Sequence, residues 1–216
     1  MTRAEQTEHL EIEGVPLVAT LVPGGPVGLL ALHASNEGGT AELAGTVARR
    51  CGATSLVFTQ PDTRRPVHIP SPRMAVDHCA LLRAFLSRVA LTVSLHGHMR
   101  PGAARTVFLG GGNRDAALVL ARELGAHAPG FRVVTHLPEI PAALRGLHPR
   151  NPVNLTRLAG VQVELPLLAR TSGPNEQDGV PDVPPPPVVE ALVAGVQRLA
   201  AGPDAQDPAT SAQDPL

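Results

Sequence analysis

The chain has 216 residues and a mass of 22.4 kDa, which suits one folded domain with short appendages. Its formal net charge is −1 and its basic residues form no cluster beyond pairs such as Arg49-Arg50, so the sequence excludes nucleic acid as the expected partner. All 18 cationic side chains are arginine, and the absence of lysine excludes a Walker A phosphate loop and Schiff-base chemistry.

The N-terminal residues 1–8 are polar and lack the apolar segment of a secretion signal. The longest apolar runs, at residues 27–32 and 116–121, are far shorter than the ~20 residues that cross a bilayer. We therefore expect a cytoplasmic protein that does not contact a membrane. In that reducing compartment, Cys51 and Cys79 are expected on helices as small buried side chains rather than as a disulfide.

Short apolar runs alternate with helical stretches over most of the chain. Strands are predicted at residues 15–22, 27–32, 54–59, 89–95, 106–109, 131–135 and 160–165. Strands that alternate with helices in this way are typical of an α/β domain with a largely parallel sheet.

Three helices between these strands have readable boundaries. Thr40 is a suitable N-cap for a first helix, which Gly52 would end. Asn113 is a suitable N-cap for another, with Gly125 as its end. Apolar residues at helical spacing predict the third helix over residues 76–89.

The C-terminal region differs in composition from the rest of the chain. We expect an α/β catalytic domain over residues 1–174, followed by a proline-rich linker or ordered wrap at 175–187. Apolar residues at helical spacing then predict an amphipathic helix over 188–201. Residues 202–216 are rich in Pro, Asp, Ala and Ser and are expected to form a disordered tail.

Polar residues follow two of the predicted strands where each strand ends. His33 and Glu37 lie in a glycine-containing turn after the strand at 27–32, and His96 and His98 follow the strand at 89–95. Ligands of open α/β sheets bind at the carboxyl ends of the strands. Two histidines and a carboxylate can hold Zn²⁺ and leave its fourth position open. The alternative is that each histidine is a hydrogen-bonded structural residue.

Glu164 lies inside the apolar strand at 160–165. Strict alternation places Gln162 and Glu164 on one face of this strand and its valines on the other. A buried carboxylate needs a partner, which would be a cation, a metal-bound water or a substrate proton. A salt bridge to Arg145, Arg157 or Arg170, or a solvated sheet face, is the structural alternative.

Motifs along residues 27–170 together resemble the poly-gamma-glutamate hydrolase family. In chain order they are Leu32-His33, Glu37-Gly-Gly-Thr40, Ser94-Leu-His96-Gly, Leu109-Gly-Gly-Gly-Asn113, Asn151-Pro-Val-Asn154 and Gly160-Val-Gln-Val-Glu164. The resemblance implies a zinc carboxypeptidase-like α/β fold, with a mixed, largely parallel central sheet flanked by helices. It also implies that His33, Glu37 and His96 bind zinc and that Glu164 is the catalytic carboxylate.

Substrate recognition is implied for several polar residues nearby. The family's Asn-Arg pair is Asn154-Leu155 in this chain, which leaves Arg157 as the nearest cation for a substrate carboxylate, with Arg145 in reserve. Asn151, Asn154 and His98 are further candidates for contact with the substrate. The alternatives are loop capping for both asparagines and plain solvent exposure for His98.

The resemblance implies a zinc-dependent amide hydrolase that acts on small or polymeric substrates with γ-glutamyl linkages. Zinc lowers the pKa of bound water and polarises the scissile carbonyl, while Glu164 transfers the proton. One alternative is an N-acyl amino acid deacylase of similar fold. Another is a non-catalytic binding module that has lost the metal, and the sequence leaves the oligomeric state open.

Overall fold

The computed structural model describes residues 4–61, 63–74, 76–172 and 183–202, and within them eight strands form one sheet. The strands are β1 (Gln6–Ile12), β2 (Val15–Val22), β3 (Gly25–Ala31), β4 (Ala53–Thr59), β5 (Leu91–His98), β6 (Thr106–Gly110), β7 (Arg132–Val134) and β8 (Gly160–Pro166). The helices are α1 (Thr40–Cys51), α2 (Ala80–Arg88), α3 (Arg114–His127), α4 (Leu167–Arg170) and α5 (Pro186–Ala201). Short 3-10 turns occupy Ser71–Arg73, Val76–His78, Leu137–Glu139, Ala142–Leu144 and Pro152–Asn154.

The strand order across the sheet is β1-β2-β4-β3-β5-β8-β6-β7. The four central strands β4, β3, β5 and β8 are parallel, and β7 is parallel to β6. Strand β6 is antiparallel to β8, as β2 is to β4 and β1 is to β2. The predicted mixed, largely parallel α/β fold is therefore confirmed.

All seven predicted strands are present, but β1 was not predicted. Only Leu10 and Ile12 are apolar in this strand, and most of its other side chains are exposed. An edge strand that packs one short apolar row has a weak periodic signal, so the sequence does not predict β1.

Several helix boundaries differ from their predictions. Asn113 caps α3 as predicted and accepts a hydrogen bond from the backbone N–H of Ala116, but α3 continues past Gly125 to His127. The predicted helix at 76–89 is a 3-10 turn followed by the shorter α2. Cys79 is the N-cap of α2, and its Sγ accepts a hydrogen bond from the backbone N–H of Leu82. Gly39, with a φ of 84°, precedes α1 instead of Thr40, whose hydroxyl donates to the carbonyl of Glu37.

Alternate residues of the central strands face two different layers. Leu29 and Ala31 of β3 belong to the core that includes α1, α3 and α5, whereas Leu30 and Leu32 belong to the core on the α2 face. Helix α2 packs on β1, β2 and β4. The α2 face of β5 and β8 carries polar residues instead of apolar ones: Thr92, Ser94, His96, Gln162 and Glu164. This polar strip is the floor of the site described below.

Helix α5 packs against α1 and α3 on the opposite side of the sheet. It begins at Pro186, two residues before the predicted start, and buries Val188, Leu192 and Val196. Residues 175–182 of the predicted linker and residues 203–216 of the predicted tail lie outside the described residues. The described helices include none that is long and apolar enough to span a bilayer.

Candidate active site

Four predicted site residues meet at the carboxyl edge of the parallel strands. His33 follows β3, Glu37 lies in the turn between β3 and α1, His96 is near the end of β5, and Glu164 is near the end of β8. Because β3, β5 and β8 are parallel neighbours, their carboxyl ends lie at one edge of the sheet. The structure thus brings together residues that are far apart in the sequence.

His33, Glu37 and His96 form a compact cluster of nitrogen and oxygen atoms. His33 Nδ1 lies 3.2 Å from His96 Nδ1 and 3.3 Å from Glu37 Oε1, and His96 Nδ1 lies 3.5 Å from Glu37 Oε2. Both histidines are buried, with exposures of 5% and 3%. The three residues form a candidate metal site.

These separations fit a tetrahedral metal ion. Ligand atoms about 2.0–2.1 Å from Zn²⁺ lie about 3.3 Å from one another in a tetrahedron. Glu37 Oε2 is buried without a hydrogen-bond partner among the described residues, which a metal would satisfy. The cluster is therefore suited in both spacing and chemistry to a divalent cation.

The outer nitrogen of each histidine is already held by the protein. His33 Nε2 lies 2.8 Å from the carbonyl oxygen of Ile69, which can only accept, so Nε2 carries the ring proton and Nδ1 presents its lone pair. His96 Nε2 lies 3.0 Å from the hydroxyl oxygen of Ser94. Partners of this kind orient histidine ligands in metal sites.

The electrostatics of the cluster keep Glu37 charged and His33 neutral. Burial raises the pKa of Glu37, but the neighbouring imidazoles of His33 and His96 together outweigh burial and hold that pKa well below its usual range. Burial lowers the pKa of His33. Burial also acts to lower the pKa of His96, but Glu37 and Glu164 outweigh burial and raise it, so His96 must give up a proton when a metal binds. An ionised carboxylate and a neutral imidazole are the protonation states that metal binding requires.

Glu164 lies beside the cluster but is held separately from it. Its side chain is 4% exposed, and its Oε1 accepts a hydrogen bond of 2.8 Å from Gln162 Nε2. Burial raises the pKa of Glu164 to about 7. A carboxyl group with this pKa can accept and return a proton near neutral pH, as a general base and acid must.

A cleft of about 370 Å³ opens above these residues. Its sheet side is lined by His33, Glu37, His96, Gln162 and Glu164, and residues from 68–72 and from 142–151 complete its walls. Among the described residues no arginine lines the cleft, and its walls are largely small or apolar.

The five predicted substrate-binding residues are placed differently from one another. Asn151 is buried and lines the cleft. Asn154, His98, Arg145 and Arg157 are not among its lining residues. The structure therefore brings one of the five into the site.

The other four have local surroundings that explain their positions. Asn154 accepts a hydrogen bond from Gly112 and donates to Gly146, so it stabilises loops. His98 is 5% exposed and bonded to the carbonyl of Thr106, so its alternative reading as an exposed side chain was wrong. Arg145 donates to the carbonyl of Ile140, and Arg157 is exposed.

His148 and Gln162 line the cleft but were not assigned to the site from the sequence, and for His68 the sequence favoured a role in its proline-bounded loop over a position in the cleft. His68 lies with its ring centroid 4.4 Å from that of His33, and His148 also lines the cleft. Both are in loops without periodicity, so no pattern could place them. Gln162 gave a usable signal, because the alternation of β8 puts it on the same face as Glu164.

Comparison with known proteins agrees with this architecture. The sequence profile described as poly-gamma-glutamate hydrolase matches residues 15–173. No curated protein matches the chain.

Solved structures share the fold. A bacteriophage poly-gamma-glutamate hydrolase aligns with a TM-score of 0.65 and 20% identity over 91% of this chain and 89% of its own. The zinc-free apo form of YNDL aligns with a TM-score of 0.63 and 20% identity over 91% and 90%. A metallo-carboxypeptidase from Burkholderia cenocepacia aligns with a TM-score of 0.52 and 11% identity over 93% and 65%. With a profile match over most of its length and this shared fold, the chain belongs to the poly-gamma-glutamate hydrolase family.

Proposed function

We propose that the protein is a zinc-dependent hydrolase of amide bonds, with γ-glutamyl linkages as the leading substrate class. One observation carries this proposal: three ligand-type side chains at tetrahedral spacing lie beside a buried carboxyl group, Glu164, in an open cleft. The family to which the chain belongs supports the substrate class.

The metal ligands in this proposal are His33 and His96 through Nδ1, and Glu37 through its carboxylate. Bound by them, Zn²⁺ supplies Lewis-acid chemistry, which acidifies water and polarises a carbonyl oxygen. The carbonyl oxygen of Ile69 fixes the lone pair of His33 at Nδ1, and Ser94 holds the ring of His96 through Nε2.

Glu164 transfers the proton. It accepts a proton from the attacking water through its carboxylate and then donates that proton to the nitrogen of the leaving amine. The same residue performs both steps because its raised pKa, about 7, makes each direction of transfer accessible.

The substrate carboxylate needs a donor that faces the cleft. His148 accepts a hydrogen bond of 3.1 Å at Nδ1 from the backbone N–H of Arg150, so its Nε2 carries the proton and is free to donate. His68, which also lines the cleft, is a second donor. In this proposal the two histidines take the role that the sequence assigned to Arg157 and Arg145, because neither arginine lines the cleft.

An N-acyl amino acid deacylase is the second candidate, and the cleft walls favour it. Pro70, Pro72, Ala142, Leu144 and Leu147 give them an apolar surface. Such a surface suits an acyl chain better than a polymer with a carboxylate at every residue.

Two measurements test the proposal together. Protein purified without a histidine tag is analysed for metal and should contain about one zinc ion per chain. The zinc-loaded protein is then assayed against poly-γ-glutamate, γ-glutamyl dipeptides and N-acyl amino acids. Cleavage of γ-glutamyl substrates supports the first candidate, and cleavage of N-acyl amino acids alone supports the second. Protein that binds no zinc and cleaves none of them would contradict both and favour a non-catalytic module.

A further inference from the structure

A chain of hydrogen bonds connects the loop before β8 to the catalytic carboxylate. The backbone N–H of Val153 donates to Asn151 Oδ1 over 3.3 Å. Asn151 Nδ2 then donates to Gln162 Oε1 over 2.9 Å, and Gln162 Nε2 donates to Glu164 Oε1 over 2.8 Å. The three hydrogen bonds therefore run in one direction, from a backbone donor to a carboxylate acceptor.

The orientation of both amides in this chain is determined at each end. The backbone N–H of Val153 can only donate, and the carbonyl oxygen of Leu144, 3.4 Å from Gln162 Nε2, can only accept, so a flip of either amide would place like atoms against each other. The side chain of Gln162 is therefore fixed in the orientation that presents an N–H group to Glu164.

Burial makes this arrangement rigid. Asn151 is 3% exposed, and Gln162 and Glu164 are each 4% exposed, so water does not replace a lost partner cheaply. Gly146, with a φ of 64°, packs its backbone against Gln162, since a Cβ there would lie 2.4 Å from Gln162 Oε1. The loop that forms one wall of the cleft thus also holds the amide.

We propose that Gln162, held by Asn151, is the positioning residue of Glu164. The hydrogen bond from Gln162 holds Glu164 Oε1. It thereby turns Glu164 Oε2, which has no hydrogen bond among the described residues, toward the proton to be transferred. Asn151, which the sequence suggested as a substrate contact, acts here through Gln162 instead. This inference rests on the proposed function, because it concerns the base of that reaction.

The rival explanation is that both amides contact the substrate, since both line the cleft. The two explanations differ in kinetics. Loss of a substrate contact made equally in the ground state and transition state raises KM, whereas loss of base alignment lowers kcat. A chain of hydrogen bonds also predicts that the effects of the two substitutions on kcat are not additive, because Asn151 can affect Glu164 only while Gln162 is present.

The experiment compares Gln162→Leu, Asn151→Ala and the double variant, each loaded with zinc, on the best substrate of the wild type. We expect Gln162→Leu to lower kcat about 10- to 100-fold, with KM and zinc content unchanged. Asn151→Ala should lower kcat less, and should add nothing in the Gln162→Leu background. A raised KM with unchanged kcat, or additive effects of the two changes, would overturn the proposal.

A second measurement does not depend on activity or on the folding of a variant. The side-chain amide protons of Gln162 in the wild-type protein, observed by NMR, should exchange with water far more slowly than those of exposed Gln6 on β1. Equal exchange would show that Gln162 is not held and would refute the inference. A wild type that cleaves none of the substrates, but protects Gln162, would instead contradict only the proposed function.

Discussion

Glu164 is paired with His96 in the parallel ladder between β5 and β8, and Gln162 is paired with Ser94 two residues earlier. The four side chains emerge on one face of the sheet, so the proposed proton-transfer carboxylate lies beside a proposed metal ligand. Gln162 likewise lies beside Ser94, the hydrogen-bond partner of His96. A slip of one residue would move Glu164 to the opposite face, where Val163 and Leu165 are packed in the core. The register of one strand pair therefore assembles half of the site.

Glu164→Gln should abolish turnover and leave the metal in place. The amide preserves the shape of the side chain but cannot accept the proton, so kcat should fall by about 10²- to 10⁴-fold. Zinc content, measured by elemental analysis, should equal that of the wild type. Glu11→Gln on exposed β1 is the matched control and should keep full activity. Near-normal activity of Glu164→Gln would remove Glu164 from the mechanism.

His96→Ala should abolish the stabilisation that zinc gives to the fold. A ligand present at 100 times its Kd stabilises the native state by about 2.7 kcal/mol, which raises Tm by roughly 5–10 °C in a chain of this size. Thermal melts with and without zinc should show this rise for the wild type and for His9→Ala, which changes an exposed histidine on β1. They should show no rise for His96→Ala. A full rise in that variant would mean that His96 is not a ligand.

The strand ends of the site could be predicted from the sequence, but its walls could not. His33, His96 and Glu164 each lie on or just after an apolar strand, and parallel strands bring such positions to one edge. His68 and His148 lie in long loops, where no periodicity states which side chains turn inward. Their place depends on how each loop packs over the polar strip of β5 and β8, which only the folded structure determines.

The same limit explains why the predicted substrate-binding arginines are not found in the cleft. A nearby cation in the sequence suggested Arg157, yet that side chain is exposed and outside the cleft. In a loop of irregular backbone, closeness in sequence to a site residue does not determine the direction in which a side chain points. In contrast, the alternation of β8 correctly placed Gln162 and Glu164 together, because the period of a strand fixes the direction of every side chain.

Gly39→Ala should weaken both the fold and metal binding. Gly39 has a φ of 84°, and a Cβ there would lie 2.5 Å from the carbonyl oxygen of Arg170, in the turn that carries Glu37. Gly102→Ala is the matched control, since its φ is 74° but nothing lies within 4 Å. Backbone strain alone costs about 1 kcal/mol, and the clash should add about 1–3 kcal/mol at Gly39. Urea unfolding gives the free energy of unfolding of both variants. Equal losses of stability in the two would show that the turn at Gly39 relaxes freely.

Glu8 should make stability depend on pH through the start of α2. Its carboxylate accepts hydrogen bonds from the backbone N–H groups of Leu81 and Ala80, at 2.7 Å and 3.0 Å. Partial burial raises the pKa of Glu8, but these hydrogen bonds outweigh burial and lower it below its ordinary value of 4.5. The stabilisation is therefore complete above that value and is lost as pH falls through the lowered pKa.

Glu8→Gln tests this dependence. At pH 7 the variant should be about 1 kcal/mol less stable than the wild type, because a neutral amide is a weaker acceptor at a helix N-terminus. The difference should shrink as the pH is lowered below the ordinary pKa of the carboxyl group. Urea unfolding of both proteins between neutral and acidic pH measures it, and a difference that stays constant would show that Glu8 does not act through its charge.

His148→Phe should impair recognition of a substrate carboxylate without impairing catalysis. The phenyl ring fills the same wall of the cleft but cannot donate, and a hydrogen bond to a charged group contributes about 1.5–3 kcal/mol. KM for a carboxylate substrate should therefore rise by about 10-fold or more, with kcat unchanged, whereas KM for the matching carboxamide should stay the same. Arg157→Ala, assayed in parallel, should change neither constant, because Arg157 is outside the cleft. If Arg157→Ala raises KM for the carboxylate and His148→Phe does not, the arginine suggested by the sequence binds the substrate after all.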